Sequence, residues 1–173
     1  MKAIFLDRDG VINKSLVTNG KPYAPRAIKD FKIIPGVQKA LLDLRSKGFL
    51  NIVVTNQPDI SSGKVDKSII NDMHFYMMNY LAIDHIEVCP HLESDNCNCR
   101  KPKIGMLLKA SKIFNIDLTH SFMVGDRWRD VLCGQRAQCL NTFFIDYGYK
   151  EARPEGPFIA VKDLNEAVEI ILK

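Results

Sequence analysis

The sequence has no long hydrophobic run, no run of basic residues and no low-complexity segment. Apolar stretches such as residues 31–37 and 51–54 are far shorter than the roughly 20 residues that a membrane-spanning helix needs. The amino terminus, MKAIFLDRDG, lacks the apolar core of a secretory signal, so we expect a soluble cytoplasmic protein that binds no membrane. The net charge of +4 is spread along the chain, which argues against nucleic-acid binding and is compatible with an anionic substrate.

Short apolar segments alternate with amphipathic segments along the chain. The apolar segments predict five strands, at residues 2–6, 51–55, 85–88, 121–124 and 141–145. The amphipathic segments predict helices between Gly36 and Gly48, at residues 67–81, 105–114 and 164–172, and after Asp126. In the helix at 67–81, the residues expected to face the core are Ile69, Met73, Tyr76, Met77 and Tyr80.

This alternation predicts an α/β protein. Strands that alternate with helices imply right-handed crossovers and an open parallel sheet covered on both faces, which is a three-layer α/β/α sandwich. A chain of 173 residues that is 46% hydrophobic suits one such domain over residues 1–173. Sheets of this kind bind their ligands outside the carboxyl ends of the strands. We therefore expect the functional residues at that edge.

Aspartates follow two of the predicted strands. Asp7 and Asp9 come directly after the first strand, and Asp126 follows the fourth, with Asp130 one helical turn further on. Carboxylates that converge at one sheet edge are costly unless a hard divalent cation neutralises them. The sequence therefore predicts a Mg²⁺ site with Asp7 and Asp126 as side-chain ligands.

Groups that could hold a phosphate lie at the same edge. Thr55-Asn56-Gln57 leaves the second strand with one hydroxyl and two amides, and Lys101 supplies a compact positive charge. In such a site Asp7 could attack phosphorus to form an aspartyl phosphate. Asp9 could then protonate the leaving oxygen and later activate water. The pattern predicts hydrolysis of a small phosphorylated metabolite.

Cysteine is scarce, and its count of five is odd. In a chain without an export signal this argues against a disulfide framework and favours reduced thiols or a metal site. Cys89, His91, Cys97 and Cys99 lie within eleven positions and form a Cys₃His set, which is typical of a structural zinc site. Free buried cysteines and a redox pair are the alternatives. Zinc in the loop at residues 89–102 would stiffen the segment that presents Lys101.

Four motifs occur in order along nearly the whole chain: Asp7-Arg8-Asp9-Gly10, Thr55-Asn56-Gln57, Arg100-Lys101-Pro102 and Gly125-Asp126-x-x-x-Asp130. Together they resemble the haloacid dehalogenase (HAD) superfamily. With the Cys/His loop, the sequence is similar to the zinc-containing branch, subfamily IIIA, which holds heptose 1,7-bisphosphate phosphatases and histidinol-phosphate phosphatases.

The resemblance implies a HAD-like Rossmannoid core with a minimal cap and a zinc-loop insertion. It implies Asp7 as nucleophile, Asp9 as acid and base, Thr55 and Lys101 as phosphate ligands, and Mg²⁺ on Asp7, the Asp9 carbonyl and Asp126. The short insertions after Gly10 and around the zinc are expected to shape the substrate pocket, and the protein is expected to be a monomer.

The substrate signals point in two directions. Pro58-Asp59 and the short zinc loop depart from the heptose phosphatases, whereas Gly105-Met106 resembles them. We favour hydrolysis of D-glycero-D-manno-heptose 1,7-bisphosphate to heptose 1-phosphate, with Arg100 as a contact to the second phosphate. Histidinol phosphate is the alternative substrate. Arg127 and Arg129 are either substrate contacts or solvated helix residues.

Two non-enzymatic alternatives have the same α/β pattern. A signalling receiver domain also binds Mg²⁺ and becomes phosphorylated on aspartate, but it has no use for a second carboxylate such as Asp9 or for a Cys₃His site. A zinc-stabilised binding protein that had lost its activity would not need Asp7, Asp9, Lys101 and Asp126 together. Both alternatives therefore rank below a phosphatase.

Overall fold

The computed structural model of the protein describes all 173 residues. Its eight strands are β1 (Lys2–Leu6), β2 (Leu16–Thr18), β3 (Lys21–Tyr23), β4 (Phe49–Asn56), β5 (His85–Cys89), β6 (Phe122–Gly125), β7 (Asn141–Ile145) and β8 (Ile159–Val161). Its five α-helices are α1 (Val37–Ser46), α2 (Lys67–Tyr80), α3 (Gly105–Phe114), α4 (Trp128–Arg136) and α5 (Leu164–Ile171). None of these helices has both the length and the apolar character that crossing a membrane requires.

Six of the strands form one sheet in the order β5-β4-β1-β6-β7-β8, and every pairing between them is parallel. In this order β1 lies in the middle, with Leu6 level with Val53 of β4 on one side and Val124 of β6 on the other. The carboxyl ends of these three central strands therefore meet at one edge. The loops that leave them carry the predicted aspartates and the Thr-Asn-Gln segment.

The sheet is covered on both faces, because successive side chains of a buried strand point in opposite directions. Ala3 and Phe5 of β1 pack in the cluster that contains the buried residues of α3 and Cys133 of α4. Ile4 and Leu6 pack in the larger cluster that contains the buried residues of α1 and α5. All four residues are fully buried. The predicted three-layer α/β/α sandwich is confirmed.

The inward face of α2 differs from the prediction. The buried residues are Ile70, Met73 and Met77, a stripe with the i, i+3, i+7 spacing of one helical face. Tyr76 and Tyr80, which we expected to face the core, are exposed. Their rings stack on each other with centroids 4.9 Å apart. The two tyrosines therefore bury part of their ring surface against each other outside the sandwich.

Three strands lie outside those predicted from the sequence. The edge strand β8 has only three residues and pairs in parallel with β7. Between β1 and α1, where the sequence predicted no strand, lies the antiparallel hairpin β2–β3. Its turn is Asn19-Gly20, with φ values of 53° and 79°, and such pairs favour two-residue hairpin turns. The signal was therefore present in the sequence.

Candidate active site

Three carboxylates converge at the carboxyl edge of the central strands. Asp7 follows β1, Asp126 follows β6, and Asp130 lies in the first turn of α4. All three residues are buried, and one carboxylate oxygen from each lies within 4.8 Å of the others. Asp9, although only two residues from Asp7, has other partners. The predicted convergence therefore involves Asp130 in addition to the two proposed side-chain ligands.

Two glycines allow the carboxylates to come so close to the backbone. At Gly10, with φ of +81°, an added Cβ would lie 1.9 Å from Oδ2 of Asp126. At Gly125 it would lie 2.1 Å from Cβ of Asp130. A side chain at either position would displace an aspartate, so both glycines are needed for this geometry.

The positive charge among these carboxylates is Lys101. Its Nζ lies 2.9 Å from Oδ1 of Asp7 and 2.6 Å from Oδ1 of Asp130, and the residue is 2% exposed. Burial alone would lower the pKa of Lys101, but attraction to Asp130 and Asp7 raises it above its ordinary value. Lys101 is therefore charged at physiological pH.

One lysine does not neutralise three carboxylates. Burial, followed by repulsion from Asp130, raises the pKa of Asp7 to about 7 even though Lys101 opposes the shift. Burial and the proximity of Asp7 also raise the pKa of Asp126. Oδ1 of Asp126 is buried without a hydrogen-bond partner. Excess negative charge and an unpartnered carboxylate oxygen fit a hard divalent cation such as Mg²⁺.

Asp9 is held by donors on both oxygens. Nη2 of Arg8 lies 2.9 and 3.1 Å from its two oxygens, and Arg8 is fully buried. Nδ2 of Asn13 donates to Oδ1 at 2.9 Å, and Nε2 of Gln57 donates to Oδ2 at 2.8 Å. This network fixes the orientation of Asp9. The sequence interpretation did not single out Arg8 or Asn13, although a cation between two aspartates was a usable signal.

The Thr-Asn-Gln segment supports the charged residues around it. The side-chain amide of Asn56 pairs with the backbone of Lys101, accepting from its N–H at 3.0 Å and donating to its carbonyl at 3.2 Å. Besides Asp9, Nε2 of Gln57 donates to Oγ1 of the fully buried Thr55 at 2.9 Å. As an acceptor in that bond, the Thr55 hydroxyl keeps its own proton for another partner. Asn56 and Gln57 thus orient Lys101 and Asp9.

A cavity of about 340 Å³ opens over the carboxylates. Its wall includes six cationic side chains: Lys21, Arg26, Lys64, Arg100, Arg127 and Arg129. Three of them are paired: Arg26 with Asp59 at 2.6 Å, Arg127 with Glu151, and Arg129 with the exposed carboxylate of Glu93 at 3.3 Å. The Pro58-Asp59 departure therefore places a carboxylate in the wall, where Arg26 neutralises it. Outside the carboxylate site, the lining of the cavity therefore has a net positive charge.

The predicted Cys/His ligands form a compact cluster. Sγ of Cys99 lies 3.2 Å from Sγ of Cys89 and 3.4 Å from Sγ of Cys97, and Nδ1 of His91 lies 3.3 Å from Sγ of Cys99. The Cys89–Cys97 and Cys89–His91 separations are 3.7 and 3.6 Å. With metal–sulfur bonds of about 2.3 Å, an ideal tetrahedron has edges of about 3.8 Å. The four atoms are thus compatible with one tetrahedral metal ion.

The cluster joins the carboxylate site through the next two residues of the chain. Arg100 donates to the carbonyl of His91 at 3.2 Å and lines the cavity, and Lys101 enters the carboxylate cluster. The loop then packs on the start of α3, where a Cβ at Gly105 would lie 2.3 Å from the carbonyl oxygen of Asn98. The predicted coupling between the Cys/His loop and Lys101 has this direct geometric basis.

Comparison with known proteins gives a consistent result. Residues 98–167 match the family described as HAD-hydrolase-like. The D-glycero-beta-D-manno-heptose-1,7-bisphosphate 7-phosphatase of Haemophilus ducreyi is 36% identical, covering 98% of this chain and 96% of the relative. The alpha-anomer 7-phosphatase of Campylobacter jejuni is 36% identical, covering 95% and 92%. The solved D,D-heptose 1,7-bisphosphate phosphatase of B. bronchiseptica, complexed with magnesium and phosphate, is 30% identical, with a TM-score of 0.85 and coverage of 99% and 98%.

A parallel α/β sandwich with an Asp-x-Asp loop after its central strand, a buried lysine and a further pair of aspartates defines a phosphatase of the haloacid dehalogenase superfamily, which is a phosphoric monoester hydrolase. The identity and coverage of the relatives are specific enough to go one step further. The chain belongs to the family of D-glycero-manno-heptose-1,7-bisphosphate 7-phosphatases.

Proposed function

We propose that the protein hydrolyses the 7-phosphate of D-glycero-D-manno-heptose 1,7-bisphosphate, giving heptose 1-phosphate and phosphate. The observation that carries this proposal is the cationic wall of a cavity whose base carries the aspartates. The names of the curated relatives support the same substrate.

The charge of the wall separates the two candidate substrates. A bisphosphate carries a second anion, which Arg100, the wall arginine without a carboxylate partner, can bind. Histidinol phosphate would bring an ammonium group toward the same cations, which is unfavourable. Outside the carboxylate site, the acidic residue of the wall is Asp59. It is paired with Arg26 and therefore offers that ammonium little attraction. The bisphosphate is therefore the better match.

The two metal-binding clusters receive different ions in this proposal. Asp7, Asp126 and the backbone carbonyl of Asp9 would hold Mg²⁺, which suits a small set of oxygen ligands. Cys89, His91, Cys97 and Cys99 would hold a structural Zn²⁺, because four protein ligands leave no open position for catalysis. Bound at the aspartates, Mg²⁺ would offset their repulsion and stabilise negative charge on the phosphoryl group.

The reaction proceeds in two steps on the chain's own residues. A carboxylate oxygen of Asp7 forms a bond to phosphorus while the bond to the sugar oxygen breaks, and Asp9 donates a proton to that departing oxygen. Asp9 then takes a proton from water, which attacks phosphorus and releases phosphate from Asp7. Lys101 and the Thr55 hydroxyl bind phosphoryl oxygens, and Gln57 and Arg8 fix the orientation of Asp9.

The test is phosphate release with Mg²⁺ from heptose 1,7-bisphosphate and from histidinol phosphate, measured on one preparation. We expect kcat/KM to favour the heptose by a hundredfold or more, or about 2.7 kcal/mol of transition-state discrimination. An Arg100→Gln variant should lose most of that preference while hydrolysis of a simple monophosphate changes little. Equal and weak rates on both substrates would be consistent with a phosphatase but would contradict heptose 1,7-bisphosphate as its substrate.

Three expectations from the sequence remain predictions and are part of this proposal. The protein is a monomer, it acts in the cytoplasm on a small phosphorylated metabolite, and residues 1–173 form one domain. Sedimentation analysis of the purified chain checks the first, and a single cooperative unfolding transition checks the last.

A further inference from the structure

The loop after β7, residues 146–153, directs two tyrosine hydroxyls at the active site. Oη of Tyr149 donates to Oδ2 of Asp126 at 2.9 Å, and Oη of Tyr147 donates to the carbonyl of Gly10 at 2.9 Å. Their rings lie 5.5 Å apart. Tyr147 is 44% exposed, so its hydroxyl could bond to water, and burial does not force it to contact Gly10. No sequence motif predicted either contact.

The Tyr149 contact determines which oxygen of Asp126 remains available. Oδ2 accepts the Tyr149 hydroxyl and lies so close to Gly10 that a Cβ there would be 1.9 Å away. Oδ1 is buried and has no hydrogen-bond partner. The carboxylate is therefore held through one oxygen while the other stays free to bind a cation.

The loop that carries Tyr149 is fastened on both sides of the site. The backbone N–H of Lys150 donates to the carbonyl of Gly20 at 2.8 Å, which ties the loop to the tip of the β2–β3 hairpin. Glu151 pairs with Arg127, the residue directly after Asp126, with Nε to Oε1 at 3.0 Å. These anchors restrict the movement of the tyrosine ring, which is a requirement for a residue that orients another.

We propose that Tyr149 is a positioning residue for the divalent cation, because its hydroxyl holds Oδ2 of Asp126 and leaves Oδ1 to the metal. This inference rests on the proposed function, in which Asp126 is a Mg²⁺ ligand. Hydrogen bonds to the non-coordinating side of a ligand fix its orientation, and their loss typically lowers metal affinity about 10- to 100-fold. A purely structural hydrogen bond would change stability and leave metal affinity as it is.

The test compares Tyr149→Phe with Tyr147→Phe, since each variant removes one hydroxyl from the same loop and keeps its ring. Melting temperatures of the zinc-loaded protein are followed over a Mg²⁺ titration, because a bound cation raises the melting temperature according to its affinity. Tyr149→Phe should need at least about tenfold more Mg²⁺ for the half-maximal shift. Tyr147→Phe should keep the wild-type midpoint. An unchanged midpoint in Tyr149→Phe overturns the proposal.

An Asp126→Asn variant separates the failure of this inference from the failure of the proposed function. If Asp126→Asn loses the Mg²⁺-dependent shift and Tyr149→Phe keeps the wild-type midpoint, only the role of Tyr149 is wrong. If Asp126→Asn titrates like the wild type, the proposed metal site is wrong, and the inference falls with it. The Mg²⁺ concentration that half-saturates phosphatase activity should move with the thermal midpoint in Tyr149→Phe while KM for the substrate stays within about twofold.

Discussion

The carboxylate site and the Cys/His cluster are built in opposite ways. The carboxylate site draws its aspartates from residues 7 to 130, and its geometry depends on β1 lying between β4 and β6. The four Cys/His residues come from positions 89 to 99, at the end of β5 and in the loop that follows it. The first cluster exists only in the assembled sheet, whereas the second needs one strand end and a short loop.

The two clusters also meet a different electrostatic problem. Asp7, Asp126 and Asp130 repel one another in a buried site, so the fold holds them together at a cost that Lys101 reduces only in part. The Cys/His residues are partly exposed except for Cys89, and their loop has little apolar surface to hold it. Under the proposed function, a cation would therefore offset repulsion in the first cluster and would supply folding energy in the second.

The largest expected effect separates catalysis from stability at the carboxylate site. Asp7→Asn should reduce phosphate release to the background rate, because an amide cannot form the acyl phosphate. The same variant removes one of the mutually repelling charges, so without Mg²⁺ it should melt at or above the wild-type temperature. Phosphate release and melting temperature on one preparation check both parts. Activity near wild type would contradict the role of Asp7 as nucleophile.

Replacing Lys101 should lower the stability of the same site, whereas replacing Asp7 should not. Lys101→Met leaves three buried carboxylates without their cation, which we expect to cost about 3–5 kcal/mol of unfolding free energy as well as most of the activity. Added Mg²⁺ should restore part of the stability of Lys101→Met but not its activity, because the phosphate contact of Lys101 is still missing. Urea unfolding with and without Mg²⁺ measures this, with Lys64→Met as the control at an exposed lysine of the cavity wall. Equal losses in the two variants would refute the argument.

Replacing one ligand of the Cys/His cluster should lower the metal content and the stability of the protein together. Cys97→Ser should lower the zinc content and the melting temperature by about 5 °C or more, which corresponds to roughly 2 kcal/mol in a chain of this size. Activity should fall less than in Lys101→Met, because Asn56 still holds the backbone of Lys101. Metal analysis and thermal melting check the prediction. Cys139→Ser, outside the cluster, is the control, and full zinc in Cys97→Ser would remove that residue from the site.

The smallest expected effect on stability comes from adding a methyl group at a glycine. Comparing Gly10 with Gly48 tests how closely the carboxylate site is packed. Gly10 and Gly48 have nearly the same φ, +81° and +79°, but a Cβ at Gly48 meets nothing within 4 Å. Gly48→Ala should lose about 1–2 kcal/mol from the left-handed backbone, and Gly10→Ala should lose at least as much, because its Cβ also meets Asp126. Gly10→Ala should also displace Asp126 and lose activity, whereas Gly48→Ala should keep it. Equal activity in the two would show that Asp126 tolerates the crowding.

Much of both clusters could be predicted from the sequence because their residues occur in recognisable positions. Asp7, Asp9 and Asp126 follow buried strands, and the parallel arrangement of those strands brings them together. The short spacing of the Cys/His residues restricts them to one neighbourhood. The Asn19-Gly20 turn was also readable, but no strand was predicted on either side of it.

The roles of several other residues were not readable, because a side-chain amide or hydroxyl does not indicate its partner. Asn56 and Gln57 were predicted to contact phosphate, and in the structure they hold Lys101 and Asp9. The contacts from Arg8 to Asp9 and from Tyr149 to Asp126 depend on which loops lie side by side at the sheet edge. Only their distances and directions in space reveal such hydrogen bonds.

The sequence by itself determined the alternation of strands and helices, the positions of the aspartates at strand ends and the local Cys/His set. These features follow from hydrophobic periodicity and from spacing along the chain, which are properties of short segments. Only the tertiary structure decided the sheet order, the ion pairs of Lys101 with Asp7 and Asp130, the positive wall of the cavity and the Tyr149 contact. Each of these brings together residues that are distant in sequence, and their electrostatic and hydrogen-bond energies depend on separation and burial in the folded chain.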